Sequence, residues 1–256
     1  MAEIVAQRRS LTGAFAADRN LSDDVFTVDL WSTDDTTWRS AMPDEDSASS
    51  YAPSSEASAV HTVVLSTVGV ETPDSEYLQT LAHREREFRA HRPDATVLRL
   101  GPVVEDLGVY RDSLREGRRI YHAYGSGTAA WISAHDVPSA VQACTAPQRR
   151  GGTYELVGAE PLSVEDLLER WAGCLGGSSH TVPVSGDALQ SHLTELAGPA
   201  YAAAVVGHQQ WIGSQATQRP MTSAQLTEVL GRAPTDVDEA IRRHETTDDT
   251  HEEKRR

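Results

Sequence analysis

The sequence predicts an α/β protein built on a doubly wound parallel sheet. Two runs of mostly apolar residues, 61–65 and 95–100, are rich in β-branched side chains, as in strands that are buried on both faces. A charged segment between them, 75–91, carries apolar residues at helical spacing and ends before Pro93. The order strand, helix, strand is typical of parallel sheets whose crossover connections run through helices.

The N-terminal part predicts shorter elements. Residues 3–7 and 25–28 have the composition of short strands, and 34–41 predicts a helix with acidic residues in its first turn. The segment 43–59 is rich in serine, proline and acidic residues, which bury too little apolar surface to fold. We therefore expect a mobile loop over 43–59.

The C-terminal half predicts more strands and a group of helices. Ser163 is followed by a carboxylate three residues later, which resembles a capping box, and the helix that it begins should stop at the glycines 176–177. These elements suggest three parts: a sheet domain at 1–153, a small and mostly helical substrate-binding part at 154–244, and a disordered tail at 245–256.

Composition excludes several classes of function. The formal net charge of −15 disfavours nucleic acid and anionic membrane surfaces as partners. Apolar runs are too short for a membrane span, and the N-terminus lacks a signal sequence, so we expect a cytoplasmic protein. Cys144 and Cys174 are too few for a zinc site, and the histidines have no ligand spacing, so no metal is expected.

Four segments in order resemble one known family. They are Ser66 to Gly69, which Tyr77 follows, then Leu98 to Leu107, Trp131 to Val137, and Tyr154 to Ser163. In this order and spacing they are similar to the NmrA-like proteins, which are atypical short-chain dehydrogenases/reductases. The resemblance implies a Rossmann-like fold with a crevice at the carboxyl ends of the strands.

The sequence departs from that family where the cofactor would be held. Leu81 stands where a helix of these proteins carries lysine, and Lys254 is the single lysine of the chain. The glycine-rich turn after the family's first strand has no counterpart, and the glycines at 125 and 127 lack a third. We therefore expect an altered or missing first strand and no bound cofactor, with NAD(P) as the alternative.

The resemblance also implies which residues face the crevice. The candidates for catalysis are Tyr77, Asp106 and Ser66: a phenol at a helix start, a carboxylate after a strand and a hydroxyl at a strand end. Each has a structural alternative, namely helix-end packing for the tyrosine, a solvated loop for the carboxylate and backbone capping for the serine. The candidates for substrate binding are Thr67, Glu105, Tyr110, Tyr124 and Trp131.

These expectations lead to one main hypothesis and two alternatives. The main hypothesis is a tailoring enzyme of bacterial secondary metabolism that carries out a redox-neutral cyclisation, isomerisation or dehydration of a hydrophobic, polyketide-like substrate. The alternatives are an NAD(P)-dependent oxidoreductase of the same fold and a non-catalytic NmrA-like sensor or regulator. A homodimer, or a partner chain that completes the sheet, is possible in each case.

Overall fold

The computed structural model describes residues 25–29, 61–218 and 224–253. The strands are β1 Val25–Asp29, β2 His61–Thr67, β3 Thr96–Leu100, β4 Arg119–His122, β5 Thr128–Ala130, β6 Thr153–Leu156, β7 Pro161–Ser163 and β8 His180–Pro183. The α-helices are α1 Glu76–His91, α2 Arg111–Arg115, α3 Asp136–Ala143, α4 Val164–Leu175, α5 Gly186–Ala197, α6 Pro199–Gln218, α7 Ala224–Leu230 and α8 Val237–Glu253. Two 3₁₀ helices span Val104–Tyr110 and Pro147–Arg149.

A parallel sheet of order β1-β2-β3-β6 forms the centre of the fold. Strands β2 and β3 pair with Ser66 opposite Arg99, and helix α1 connects them, so the predicted doubly wound α/β architecture is confirmed. The core strands are buried because both faces of a parallel sheet are covered by helices.

Strand β1 lies in a different place from the one that the sequence suggested. By their likeness to the NmrA-like pattern, residues 25–41 are expected to form the third strand and its helix, and β2 the fifth strand, but β1 pairs directly with β2. In a sheet of order 3-2-1-4-5-6, the strand beside the fifth is the fourth, not the third. Pairing depends on contacts distant in sequence, which strand composition does not encode. The expected strand at 3–7, helix at 34–41 and loop at 43–59 lie outside the described residues.

Helix α1 shows why leucine stands at position 81. Ser75 caps the helix by accepting a hydrogen bond from the Leu78 backbone nitrogen at 3.3 Å. The apolar residues Leu78, Leu81 and Phe88 point into the core and are almost completely buried. Leu81 therefore packs against the sheet, a position where a lysine ammonium would need a partner.

The start and the end of α4 follow the sequence signals closely. The Ser163 hydroxyl accepts a hydrogen bond from the backbone nitrogen of Asp166, whose carboxylate accepts one from the same hydroxyl at 2.7 Å. The helix ends at Gly176, which has a φ of 67°, a conformation that favours glycine. The predicted capping of this helix is confirmed.

Helix α8 continues through most of the segment that was expected to be a disordered tail. It extends to Glu253, and Glu245 on it is buried. The Glu245 carboxylate accepts hydrogen bonds from Arg111 Nε at 2.6 Å and from Trp171 Nε1 at 2.8 Å. These contacts with α2 and α4 anchor the helix. The expectation was wrong because composition showed only charged residues and not their buried partners.

Two small sheets complete the fold. Strand β4 pairs in parallel with β8, and β5 pairs antiparallel with β7. Helices α5 and α6 form a helical hairpin after β8, in the part expected to bind substrate. Within the ranges that the structure covers, no helix combines the length and the apolar character needed to cross a bilayer.

Candidate functional site

The carboxyl edge of the central sheet is covered by helix α6. Strand β2 ends at Thr67, and the chain turns at Gly69, which has a φ of 93°. The indole nitrogen of Trp211 donates a hydrogen bond to the Val68 carbonyl oxygen at 3.1 Å, and Trp211 is almost fully buried. Trp211 and the helix that carries it therefore lie against the end of β2.

Tyr77, a predicted catalytic residue, is bound to the same helix. Its hydroxyl lies 3.0 Å from Nδ1 of His208, and the two rings meet edge to face. Burial without a nearby charge lowers the pKa of His208 to about 4, so its imidazole is neutral near pH 7. Gly207 permits the close approach, since a Cβ at that position would lie 2.8 Å from the Cβ of Tyr77. The phenol thus joins α1 to α6.

The hydroxyl residues at the end of β2 are held by neighbouring structure. Ser66 is fully buried, and its hydroxyl donates a 2.6 Å hydrogen bond to Glu85, which forms an ion pair with Arg99. Thr67 donates to the carbonyl oxygen of Leu100 at 3.3 Å. Thr67 thus bonds to backbone, as the structural alternative predicted, whereas Ser66 bonds to the side chain of Glu85 and is not brought together with Tyr77.

Glu105 and Asp106 lie in the 3₁₀ helix that follows β3 and are both buried. The Glu105 carboxylate accepts hydrogen bonds from the Ser133 hydroxyl and the Ala134 backbone nitrogen, both at 2.7 Å. Burial raises the pKa of Glu105 to about 7, although these two hydrogen bonds oppose the rise. Glu105 fastens the 3₁₀ helix to the segment before α3.

Trp131 and Tyr124, two of the three aromatic residues predicted to bind substrate, have different roles. Trp131 is buried and donates its indole hydrogen to the Leu162 carbonyl oxygen at 2.9 Å, which ties it to strand β7. Tyr124 is also buried, but its hydroxyl lies 3.4 Å from that of Tyr110. Trp131 is therefore a core residue, while Tyr124 supports a group that borders a cavity.

A cavity of about 510 Å³ lies beside the 3₁₀ helix and between β4 and helices α5 and α6. Tyr110 is the predicted site residue that lines it. The walls are largely apolar, and the exposed side chains of Tyr121 and Leu196 stand at the opening. The apolar lining includes Val109, Ile120, Val184, Leu189, Leu193 and Val205.

Gln209 holds the Tyr110 phenol in place. Its amide oxygen accepts a 2.7 Å hydrogen bond from the Ala123 backbone nitrogen, which fixes the orientation of the amide group. Its amide nitrogen then donates to the Tyr110 oxygen at 3.3 Å. The Tyr110 hydrogen therefore points away from Gln209, towards Tyr124 or towards a ligand oxygen.

Sequence reasoning missed Gln209, Arg119 and His192, which also line the cavity. On α6, Tyr201, Val205 and Gln209 recur every four residues, so the helical period would have placed them on one face. Helix α6 thus contributes one face to the cavity, while His208 and Trp211 cover the sheet edge.

A dinucleotide would meet two close features in the described part of the sheet edge. Such a ligand lies across the carboxyl edge of a parallel sheet, with its pyrophosphate on a glycine-rich turn. At β3 a Cβ on Gly101 would lie 2.9 Å from the Ala130 oxygen, and at β2 Trp211 fills the edge. A nicotinamide ring placed beside Val68 would meet the indole of Trp211. The part of the chain that the structure describes holds no cluster of histidine, cysteine and acidic residues suited to a metal.

Solved structures with a similar fold include reductases and an epimerase. Over 72% of its length, the chain is similar to the NADPH complex of a quinone oxidoreductase from Escherichia coli, with a TM-score of 0.61 and 16% identity. It is also similar to Citrobacter sp. triphenylmethane reductase complexed with NADP(H), with a TM-score of 0.59 and 18% identity over 73% of its length. At the level of fold, the predicted resemblance is confirmed.

The match to a known protein by sequence covers less of the chain than the matches by structure do. The chain is 26% identical to an NAD(P)H azoreductase from Xenophilus azovorans over 105 residues, which are 41% of this chain and 37% of the azoreductase. It spans about two thirds of the two reductase structures, 65% and 66%. No protein-family model matches the chain.

These findings correct the expectation that the chain has no cofactor. Solved structures of this fold are complexes with NADPH or NADP(H). The inference from Leu81 and from the absent glycine turn was wrong because it treated two sequence motifs as the whole of the nucleotide site.

Proposed function

We propose that this protein is an NAD(P)-dependent oxidoreductase that reduces an apolar small molecule bound in the cavity beside Tyr110. The observation that carries the proposal is an apolar cavity of about 510 Å³ with an oriented phenol in its wall, on the fold of known NAD(P)H reductases. Ligand pockets of enzymes have this size and this mixture of apolar walls with a few polar groups.

The chain's own residues would bind the substrate and supply a proton. A reduced nicotinamide, when bound, provides a hydride, and the acceptor atom that gains negative charge then needs a proton. The Tyr110 phenol is suited to this task because Gln209 donates to its oxygen and so stabilises the phenolate that proton transfer leaves. Tyr77 lacks this role in the proposal, since His208 engages its hydroxyl.

Helix α6 links the cavity to the sheet edge. It lines the cavity with Val205 and Gln209 and covers the edge with Trp211. A shift of this helix would expose the edge and change the cavity in the same movement. The proposal therefore includes an open state of α6 in which the dinucleotide binds, and a closed state that the structure represents.

Dinucleotide binding and turnover test the proposal directly. Calorimetric titration with NADPH and NADH should show binding, and absorbance at the nicotinamide band should fall when a quinone or an azo dye is added. The variant Y110F should lose about 100-fold in kcat, the usual range for removal of a general acid, while Y77F should keep most of the activity. No NADPH binding and no acceptor-dependent oxidation would refute the proposal.

The covered edge also supports a second candidate, a nucleotide-dependent sensor. If dinucleotide binding displaces α6, the displacement itself would be a signal. Binding of NADPH without turnover of any acceptor, together with increased exposure of Trp211 to a soluble quencher, would favour the sensor. A place in secondary metabolism stays a prediction, and the neighbouring genes of the coding sequence test it.

A further inference from the structure

The cavity beside Tyr110 differs in charge from the rest of the molecule. The chain has 38 acidic and 23 basic residues besides histidine. Nevertheless, no aspartate or glutamate is among the described residues that line the cavity, and its ionisable lining groups besides tyrosine are Arg119 and His192. This cavity of a strongly acidic protein is therefore lined by a guanidinium group and by no carboxylate among the described residues.

Arg119 has no carboxylate partner among the described residues, unlike the arginines nearest to it in sequence. Arg118 forms an ion pair with Glu116 at 3.0 Å, and Arg115 lies 3.6 Å from Glu245. The Arg119 side chain begins at the exposed first position of β4, next to Ile120 in the cavity wall. Its charge is therefore available to a ligand, and an arginine stays charged at every physiological pH.

The Tyr110 phenol, a further polar group of the cavity, suits an uncharged ligand oxygen rather than a second charge on the ligand. The Tyr110 phenol can donate to a carbonyl or hydroxyl oxygen, and Gln209 fixes the position of its oxygen. The aliphatic part of the wall includes Leu189 and Leu193 from α5 and Val109, and the rest of the lining includes Ser113, Tyr121 and Tyr201. An aromatic or alkyl body of two to three rings would fill a cavity of this volume.

We propose that the cavity selects an amphipathic monoanion, with an apolar body among the aliphatic side chains and a carboxylate or similar acid on Arg119. The proposal rests on the proposed function only in taking this cavity as the substrate site, and the binding itself requires no dinucleotide. Planar guanidinium and carboxylate groups form two parallel hydrogen bonds, which gives the selection its geometry as well as its charge.

A matched pair of probes tests the proposal on the full chain without nucleotide. Naphthoate and naphthamide have the same body and nearly the same shape, and differ in charge. Calorimetry should show naphthoate binding about tenfold more tightly, the effect expected of one charge-assisted pair near solvent. In R119Q that preference should disappear while naphthamide affinity stays unchanged. The preference should also weaken as salt is added.

The neighbouring variant R118Q is the control, because Arg118 is similarly exposed but does not line the cavity. It should keep the tenfold preference. Equal affinity of the two probes for the wild type, an unchanged preference in R119Q or failure of both probes to bind would overturn the proposal. These outcomes are separate from the test of reduction: a reductase that prefers neutral acceptors would still oxidise NADPH, and an acid-binding cavity would survive the absence of turnover.

Discussion

His208 should make the stability of the protein depend on pH in a way that a single substitution removes. In the unfolded chain the imidazole has its ordinary pKa of 6.5, and in the folded protein burial lowers that pKa to about 4. Between these two values the unfolded state binds a proton that the folded state rejects. The free energy of unfolding therefore falls as the pH is lowered from 6.5 towards 4.

The two pKa values also give the size of the effect. A gap of about 2.5 pH units corresponds to about 3 kcal/mol at most, since one unit is worth about 1.4 kcal/mol. The free energy of unfolding is reduced by the full amount below pH 4 and is not reduced above pH 7. In H208Q a neutral amide replaces the imidazole and can still accept a hydrogen bond from Tyr77, so this contribution should vanish.

Urea unfolding at several pH values between 4 and 7 measures the effect, with tryptophan fluorescence as the signal. The quantity to compare is the difference between wild type and H208Q, because the other groups titrate equally in both. That difference should move by about 3 kcal/mol in favour of the variant on acidification. If the two proteins lose stability in parallel, then His208 is not held neutral by burial, and its contact with Tyr77 does not have the character described above.

Three further substitutions test other parts of the structure by the same urea assay. Glu105 has the opposite sign: its pKa is raised from 4.5 to about 7, so its own contribution to stability should fall by up to about 3 kcal/mol as the pH rises through that range, and the wild type should lose that amount relative to E105Q. G213A should destabilise by more than about 2 kcal/mol because a Cβ would overlap the Tyr124 carbonyl oxygen, whereas G173A, which meets open space, should be neutral or stabilising; similar values for both would contradict the close packing of α6. E245A should cost about 3–5 kcal/mol by removing the carboxylate from a buried ion pair with Arg111, against under about 1 kcal/mol for E239A on the exposed face of the same helix; equal costs would mean that Glu245 does not anchor α8.

The opposite signs of His208 and Glu105 mean that the wild type should hide both effects. The contribution of His208 lowers the free energy of unfolding as the pH falls from 6.5 to 4. The contribution of Glu105 lowers it as the pH rises from 4.5 to 7. The contributions have similar size and overlap in pH, so they offset each other. A flat pH profile of the wild type would therefore be no evidence that the two groups are unperturbed, and the variants are needed to separate them.

The parts of the fold that sequence predicted were those set by local chemistry. The β-branched run of β2 and the apolar spacing of α1 each determine an element without reference to the rest of the chain. The same holds for the caps at Ser163 and Gly176. The partner of β1 and the length of α8 could not be predicted, because each is decided by a contact with residues far away in sequence.

The site was harder to predict, because a buried polar residue and a ligand-binding residue look alike in a sequence. Ser66, Glu105 and Trp131 were candidates for the crevice, and each forms a hydrogen bond with a residue 19 to 31 positions away. Tyr110, in contrast, lines a cavity, and its hydroxyl is oriented by Gln209, a residue of α6 that lies 99 positions later in the sequence. Only tertiary structure distinguishes these two outcomes.

The leucine at position 81 and the proposed role of Tyr110 as proton donor are connected through α6. In the family pattern, lysine sits four residues after the tyrosine on one helix and serves it there. Leu81 is instead packed in the core, and the Tyr77 hydroxyl forms a hydrogen bond with His208 from α6. That contact brings α6 over the sheet edge and, on another face of the same helix, brings Gln209 to Tyr110. Loss of one charge on α1 is therefore consistent with the transfer of proton donation from Tyr77 to Tyr110, and Y110F and Y77F should differ for this reason.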